Sequence, residues 1–174
     1  DNINLKNKKG KSALSNAVCK NSSEIVAHLI DIGCNFKVID NSGNNLIFQL
    51  IENFEANESL EFENKLNILL EVGVETKDLN SKGETIFHLA IEKNNTSLLE
   101  KFINIGLDIN KADKNGMTPL HCAAMKAKNL EIVEFLIEHG GDKKAKTNFG
   151  ETAYDLALEN EILNKTNANI KILK

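Results

Sequence analysis

The sequence predicts an all-α solenoid, a stack of short helical units rather than a fold built round one central core. Three observations carry that reading. The first is a spacing of glycines. Gly10, Gly43, Gly83, Gly116 and Gly150 follow one another at steps of 33, 40, 33 and 34 residues, and open the runs GKSALSNAV, GNNLIFQLI, GETIFHLAI, GMTPLHCAA and GETAYDLAL. The second is another glycine series in phase with it: Gly33, Gly73, Gly106 and Gly140, in LIDIGC, LLEVGV, FINIGL and LIEHGG. Self-similarity at such a period marks stacked supersecondary units. The third is the apolar pattern between the glycines. Leu14, Ala17 and Val18, like Leu120, Ala123 and Ala124, fall on one helical face, as do Ile25, Val26, Leu29 and Ile30 and their counterparts Ile132, Val133, Leu136 and Ile137. Helices of about ten residues are marginal alone, so stacking must supply the stability.

The elements of one unit follow in order. Thr118 reads as an N-cap that accepts from the first-turn amides, and Pro119, the only proline, stands at the first helical position, where a missing N–H costs little. The glycines that end the second helices read as left-handed caps, each followed by a residue that folds back on the helix: Cys34, Val74 and Leu107.

Residues 113–146, DKNGMTPLHCAAMKAKNLEIVEFLIEHGGDKKAK, carry the T-P-L-H-x-A signature, and the other units are degenerate but in register. On these residues the chain resembles the ankyrin-repeat family over essentially all of its 174 residues. The resemblance implies a single domain, 1–174, whose units each hold a short β-hairpin tip, an inner helix, a turn and an outer helix. The repeats lie near 7–39, 40–79, 80–112, 113–146 and 147–174, the last a degenerate cap. Residues 1–6 align with the start of LDINKAD (107–113) and read as the tail of a preceding repeat or cap. The resemblance further implies that His121 bonds to Thr118 and to a neighbouring backbone group, and that His88 does the same with Thr85. Asn21 and Asn94 stand where the family has Gly after the inner helix, so both are expected in the left-handed conformation that Asn tolerates.

The 40-residue step places about seven extra residues near NFEANESLEF, 53–62. About two helical turns of chain are expected to lengthen both helices of the second repeat by a turn each, as an acidic protrusion bearing Glu52, Glu55, Glu58, Glu61 and Glu63. The alternative is a loose insertion, which solenoids tolerate.

The adjacent His121 and Cys122 raise the question of thiol chemistry. Helical neighbours at i and i+1 do not face each other, and a base must lie within hydrogen-bond reach of its thiol, so both residues read as architecture. No catalytic, cofactor-binding or metal-binding residue is assigned, and no enzyme is expected. The three cysteines, Cys19, Cys34 and Cys122, show no C-x-x-C spacing. Unpatterned thiols in odd number favour a reducing compartment, hence a cytoplasmic location. All 21 basic residues are Lys, the net charge is −4, and there is no Trp for stacking. Without Arg, the bidentate reader of phosphates and guanine edges, nucleic acid is not the expected partner. No apolar run approaches the ~20 residues that span a bilayer, and no membrane insertion is expected. A monomer is.

The expected partner is another protein. The resemblance places contacts on the tips and the exposed side of the inner helices: Lys8, Lys9 and Lys11 in the first repeat, Glu84 in the third, Lys114, Met117, Met125 and Lys126 in the fourth, Phe149 in the last. Met117, Met125 and Phe149 are the apolar exceptions in this polar set, and aromatic and Met side chains are favoured at adaptable hot spots. They are the expected anchor, with Lys114 and Lys126 as rim. The competing reading has Phe149 folded back on the preceding hairpin. Charge is uneven: residues 1–39 hold six Lys against three acids, residues 40–82 three Lys against nine. That is either a solvated surface or a bipolar face that orients a partner. The expected function is a non-catalytic protein–protein interaction scaffold. The alternative is a structural spacer or regulatory ankyrin segment of a larger multidomain protein.

Overall fold

The computed structural model describes residues 2–55, 59–76, 79–165 and 170–174. Among them the chain forms ten α-helices in pairs: α1 (Ala13–Lys20) and α2 (Ser23–Asp31), α3 (Leu46–Glu52) and α4 (Ser59–Glu71), α5 (Ile86–Glu92) and α6 (Thr96–Asn104), α7 (Pro119–Lys126) and α8 (Glu131–Glu138), α9 (Ala153–Glu159) and α10 (Glu161–Lys165). A 3-10 turn, Ile170–Leu173, follows. Each pair occupies one sequence period. The helices gather in two compact units, Asp1–Lys82 and Gly83–Lys174. In the first, α1 packs on α3 and α2 on α4; in the second, α5 packs on α7, α7 on α9, and α6 on α8. Inner helix thus stacks on inner and outer on outer, as an all-α repeat fold requires.

The predicted inner-helix faces are buried, whereas on the outer helices Val26, Ile132, Val133 and Leu136 are buried, Leu29, Ile30 and Ile137 half-buried, and Ile25, expected on the buried face, is 45% exposed. In the first unit Leu14, Val26, Leu46, Ile47, Phe48 and Ile51 are buried; in the second, Phe87 meets Phe102 edge to face at 6.0 Å, and Leu98, Leu99 and Leu120 are buried as well. Fully burying one such side chain contributes about 1.5–3 kcal/mol. Polar side chains close the helix starts. Ser12 accepts from the Ser15 amide, Asn45 from Ile47 and Phe48, Asn95 from Leu98. At the outer-helix ends Gly33, Gly73 and Gly106 have φ of +89°, +85° and +81°. The next amide then reaches back to the helix: Cys34 to Leu29 O, Val74 to Leu69 O, Leu107 to Phe102 O.

Two local expectations need correction. Asn94 is left-handed, at φ +50°, but Asn21 is extended, at φ −114° and ψ 176°. Only Asn21 and Ser22 separate α1 from α2, and Ser22 is extended too, so the chain leaves α1 straight into the next N-cap. The insertion does not lengthen both helices. α3 stops at Glu52, whereas α4 runs 13 residues against nine in α2 and α6. The Phe54 amide bonds to Ile51 O and turns the chain out of α3, and the Phe54 ring packs edge to face on Phe62 of α4 at 4.9 Å. The extra helical turn therefore falls on the outer helix. Glu61 within it accepts from the amide of Ser23 at 2.7 Å and so caps α2 of the preceding repeat. Glu58, counted in the predicted acidic protrusion, lies outside the described residues.

Candidate functional site

The tips that carry the candidate residues are built by one recurring device. Among the described residues they are tight turns without a strand ladder. In the fourth repeat the Asp113 amide donates to Met117 O at 2.8 Å and the Gly116 amide to Asp113 O at 3.1 Å. The Asp113 carboxylate accepts from the amides of Asn115 and Met117. Asn7 and Asp40 do the same in their tips, and the Thr147 hydroxyl takes that place in the last. This turn-setting residue, always three before the tip glycine, was legible in the sequence, since Asx side chains favour such turns. The tip glycine is needed for space as well as for its positive φ. At Gly43, φ +74°, an added Cβ would fall inside contact distance of the Ser81 backbone nitrogen in the next tip.

The His–Cys neighbours of α7 are tied into the fold separately. The Thr118 amide donates to His121 Nδ1 at 3.1 Å, so the other nitrogen, Nε2, carries the proton and donates to Glu151 O in the next tip at 3.1 Å. His88 repeats the arrangement: Nδ1 lies 2.7 Å from Thr85 Oγ1 and Nε2 2.9 Å from Met117 O. Burial pushes the His88 pKa below its usual value. Each imidazole therefore staples a tip to the inner helix before it. Cys122 is buried, and burial raises its thiol to about 12. With both nitrogens of His121 engaged and the thiol held protonated, the pair lacks the activated thiolate that nucleophilic catalysis needs. Among the described residues no group of three His, Cys, Asp or Glu side chains is placed to hold a metal ion.

Six of the candidate contact residues lie in the second unit. Phe149 stands at the last tip with 80% of its surface exposed, which excludes the folded-back alternative. Met125, in the last turn of α7, is 40% exposed; Met117 is half-buried, with its carbonyl accepting from His88. Lys114 is exposed at its tip, and its aliphatic stem crosses Gly83. Glu84 is half-buried one residue after that glycine. Lys126 pairs with Glu92 of α5 at 2.6 Å. Partial burial works against its charge, but the Glu92 carboxylate outweighs this and holds the Lys126 pKa above normal. Lys126 is thus committed to a neighbouring inner helix, which sequence spacing did not reveal.

The other three, Lys8, Lys9 and Lys11, lie in the first unit. They line an open groove of about 310 Å³ with Asp40, Asn41, Ser42 and Glu52. Lys9 O and Lys8 O accept from the backbone amide and side-chain amide of Asn41. In the first unit three lysines thus line one groove with two acids, Asp40 and Glu52.

Comparison with known proteins agrees with this architecture. Residues 54–148 and 87–170 match the family described as ankyrin repeats (3 copies). The chain is 36% identical over 85 residues to alpha-latroinsectotoxin-Lt1a of Latrodectus tredecimguttatus, covering 49% of this chain and 6% of the toxin. It is 26% identical over 159 residues to putative ankyrin repeat protein L371 of Acanthamoeba polyphaga mimivirus, covering 89% of this chain and 20% of that protein. With protein phosphatase 1 regulatory subunit 12A of Mus musculus it shares 38% identity over 77 residues, 44% of this chain and 7% of the subunit. The chain spans a fifth or less of the length of each of these relatives.

Proposed function

The chain belongs to the ankyrin-repeat family, and on that premise we propose that it is a non-catalytic module that binds a partner protein through repeat tips and the exposed side of the inner helices. Phe149, Met125 and Met117 form the apolar anchor in the second unit, with Lys114, Lys126 and Glu84 as its charged surround. Lys8, Lys9 and Lys11 supply a second contact in the first unit. The observation that carries the reading is the 80% exposure of Phe149 at a repeat tip, where it stabilises no core. Such an aromatic has the character of a hot spot. The family resemblance, in which tips and inner helices make the contacts, supports the same surface. The module acts as a monomer in the cytoplasm.

The test is a pull-down followed by titration of the captured partner. Phe149→Ala is expected to lose about 2 kcal/mol of binding with an unchanged melting temperature. Unchanged affinity sinks the proposal. A second reading, that the chain is a spacer or regulatory segment of a larger protein, is favoured by its small share of each relative's length. It predicts that no partner depends on Phe149.

A further inference from the structure

We propose that the groove of the first unit binds an extended acidic segment of the partner protein, whose side-chain carboxylates meet Lys8, Lys9 and Lys11 while its main-chain N–H groups donate to Asp40 and Glu52. This rests on the reading that repeat tips bind a protein, and adds the chemistry of the segment they take. The groove, of about 310 Å³, lies wholly in the first unit, lined by the first tip on one side and by the second tip with the end of α3 on the other. The two sides differ in kind. Among the described residues Lys8 and Lys9 make no ion pair, and Lys11 Nζ lies only against Cys19 Sγ, at 3.7 Å. Three ammonium groups therefore stand without an ion-paired anion. The two acids of the groove are held instead by Asn44. Its amide donates to Asp40 Oδ1 at 3.0 Å and its Nδ2 to Glu52 Oε1 at 2.7 Å, and the Ser42 amide adds a second bond to Asp40 Oδ1.

A surplus of acceptors marks the second side. A carboxylate offers about four lone-pair sites, so both acids accept further donors while Asn44 holds them. Asn44 Oδ1 itself and the buried Gln49 Oε1, whose Nε2 donates to Asn44 O, find no donor among the described residues. A complementary ligand carries anions towards the lysines and N–H donors towards the acids. An extended acidic chain carries both, since its side chains alternate and its main-chain amides are unbonded. A helix uses its amides internally. Phosphate groups suit the groove less well. Converging backbone amides and Arg are what bind them. Here the amides of Lys9 and Lys11 are taken by Asn7, that of Asn41 by Lys9 O, and those of Ser42 and Asn44 by Asp40. The chain has no Arg.

The test titrates the 174-residue chain at low salt into a fluorescent peptide of alternating Glu and Ser, read by anisotropy. The combined variant Lys8→Ala, Lys9→Ala, Lys11→Ala is expected to bind roughly tenfold more weakly, the joint effect of three exposed ion pairs. The variant Lys128→Ala, Lys144→Ala, Lys146→Ala removes the same charge from exposed positions outside the groove, and is expected to leave the affinity nearly unchanged. N-methylation of the peptide main chain is expected to weaken binding as well. No binding, equal loss in the two lysine variants, or equal affinity for the methylated peptide overturns the proposal. Phe149 is not part of the groove, so Phe149→Ala is expected to bind the peptide as the parent does. The two readings therefore fail separately. A captured partner that depends on Phe149, with a peptide that ignores Lys8, Lys9 and Lys11, overturns only the acidic-segment inference. A partner indifferent to Phe149, with a peptide that still needs the lysines, overturns only the apolar anchor.

Discussion

At the residue scale the two stapling histidines make the sharpest predictions. His88 is buried between Thr85 and the Met117 carbonyl, and burial lowers its pKa below 6.5. Its neutral form suits the folded state, so the unfolded chain binds the proton first as the solution is acidified. Its contribution to stability is therefore complete above pH 6.5 and is lost as the pH falls from there through the lower folded value. Urea midpoints from about pH 7.5 to about pH 5 are expected to drop less steeply in His88→Gln than in the parent; equal slopes would refute the assignment. His121→Ala removes bonds to Thr118 and to Glu151 O, and is expected to cost about 2 kcal/mol of stability. Cys122, with its thiol near 12, should resist alkylation at neutral pH until the chain unfolds. A thiol that labels rapidly in the folded protein would reopen the question of chemistry at this site.

At the element scale the second repeat shows how an insertion is absorbed. The added chain extends α4 at its N-terminus, is anchored by the Phe54–Phe62 contact, and lends Glu61 to the start of α2. Ser22, the N-cap of α2, makes no side-chain cap bond of its own, so Glu61 supplies what the local sequence lacks. A carboxylate at a helix N-terminus is favoured by both the free amides and the helix dipole. Glu61→Ala should therefore destabilise the protein by about 1 kcal/mol, and Glu61→Gln by less. The loss should appear in α2, read as faster amide exchange there. Faster exchange confined to α4 would mean that Glu61 serves only its own helix.

At the scale of the whole molecule, charge and composition constrain the partner. The chain carries 21 Lys, no Arg and a net charge of −4. Nucleic-acid binding draws on counterion release by clustered cations and on Arg at phosphates and base edges. A labelled DNA duplex is expected to show no salt-dependent binding in anisotropy titrations, and a steep loss of affinity with added salt would contradict this. No helix among the described residues is long and apolar enough to cross a membrane. The two units present different surfaces, the basic groove of Lys8, Lys9 and Lys11 and the apolar tip of Phe149, so their variants should separate in a binding assay.

The amino-acid sequence by itself determined the repeat, the helix pairs, their local caps and the buried face of the inner helices. Those features depend on residues within about one helical turn of each other, or on a period that recurs five times, so composition and spacing suffice. That is why Pro119 at a helix start, left-handed Gly33 and Asn94, and the burial of Leu120 and Ala123 were all legible. Only the tertiary structure decided what joins one repeat to the next. The acceptor for His121 lies 30 residues away, the partner of Lys126 lies 34 away, and the cap of α2 comes from 38 residues on. The same holds for the exposure of Phe149 and for the extended Asn21, set by the length of a link and not by its own preference. Such contacts follow from the register in which short helices stack, and that register is a property of packed surfaces that no single window of sequence contains.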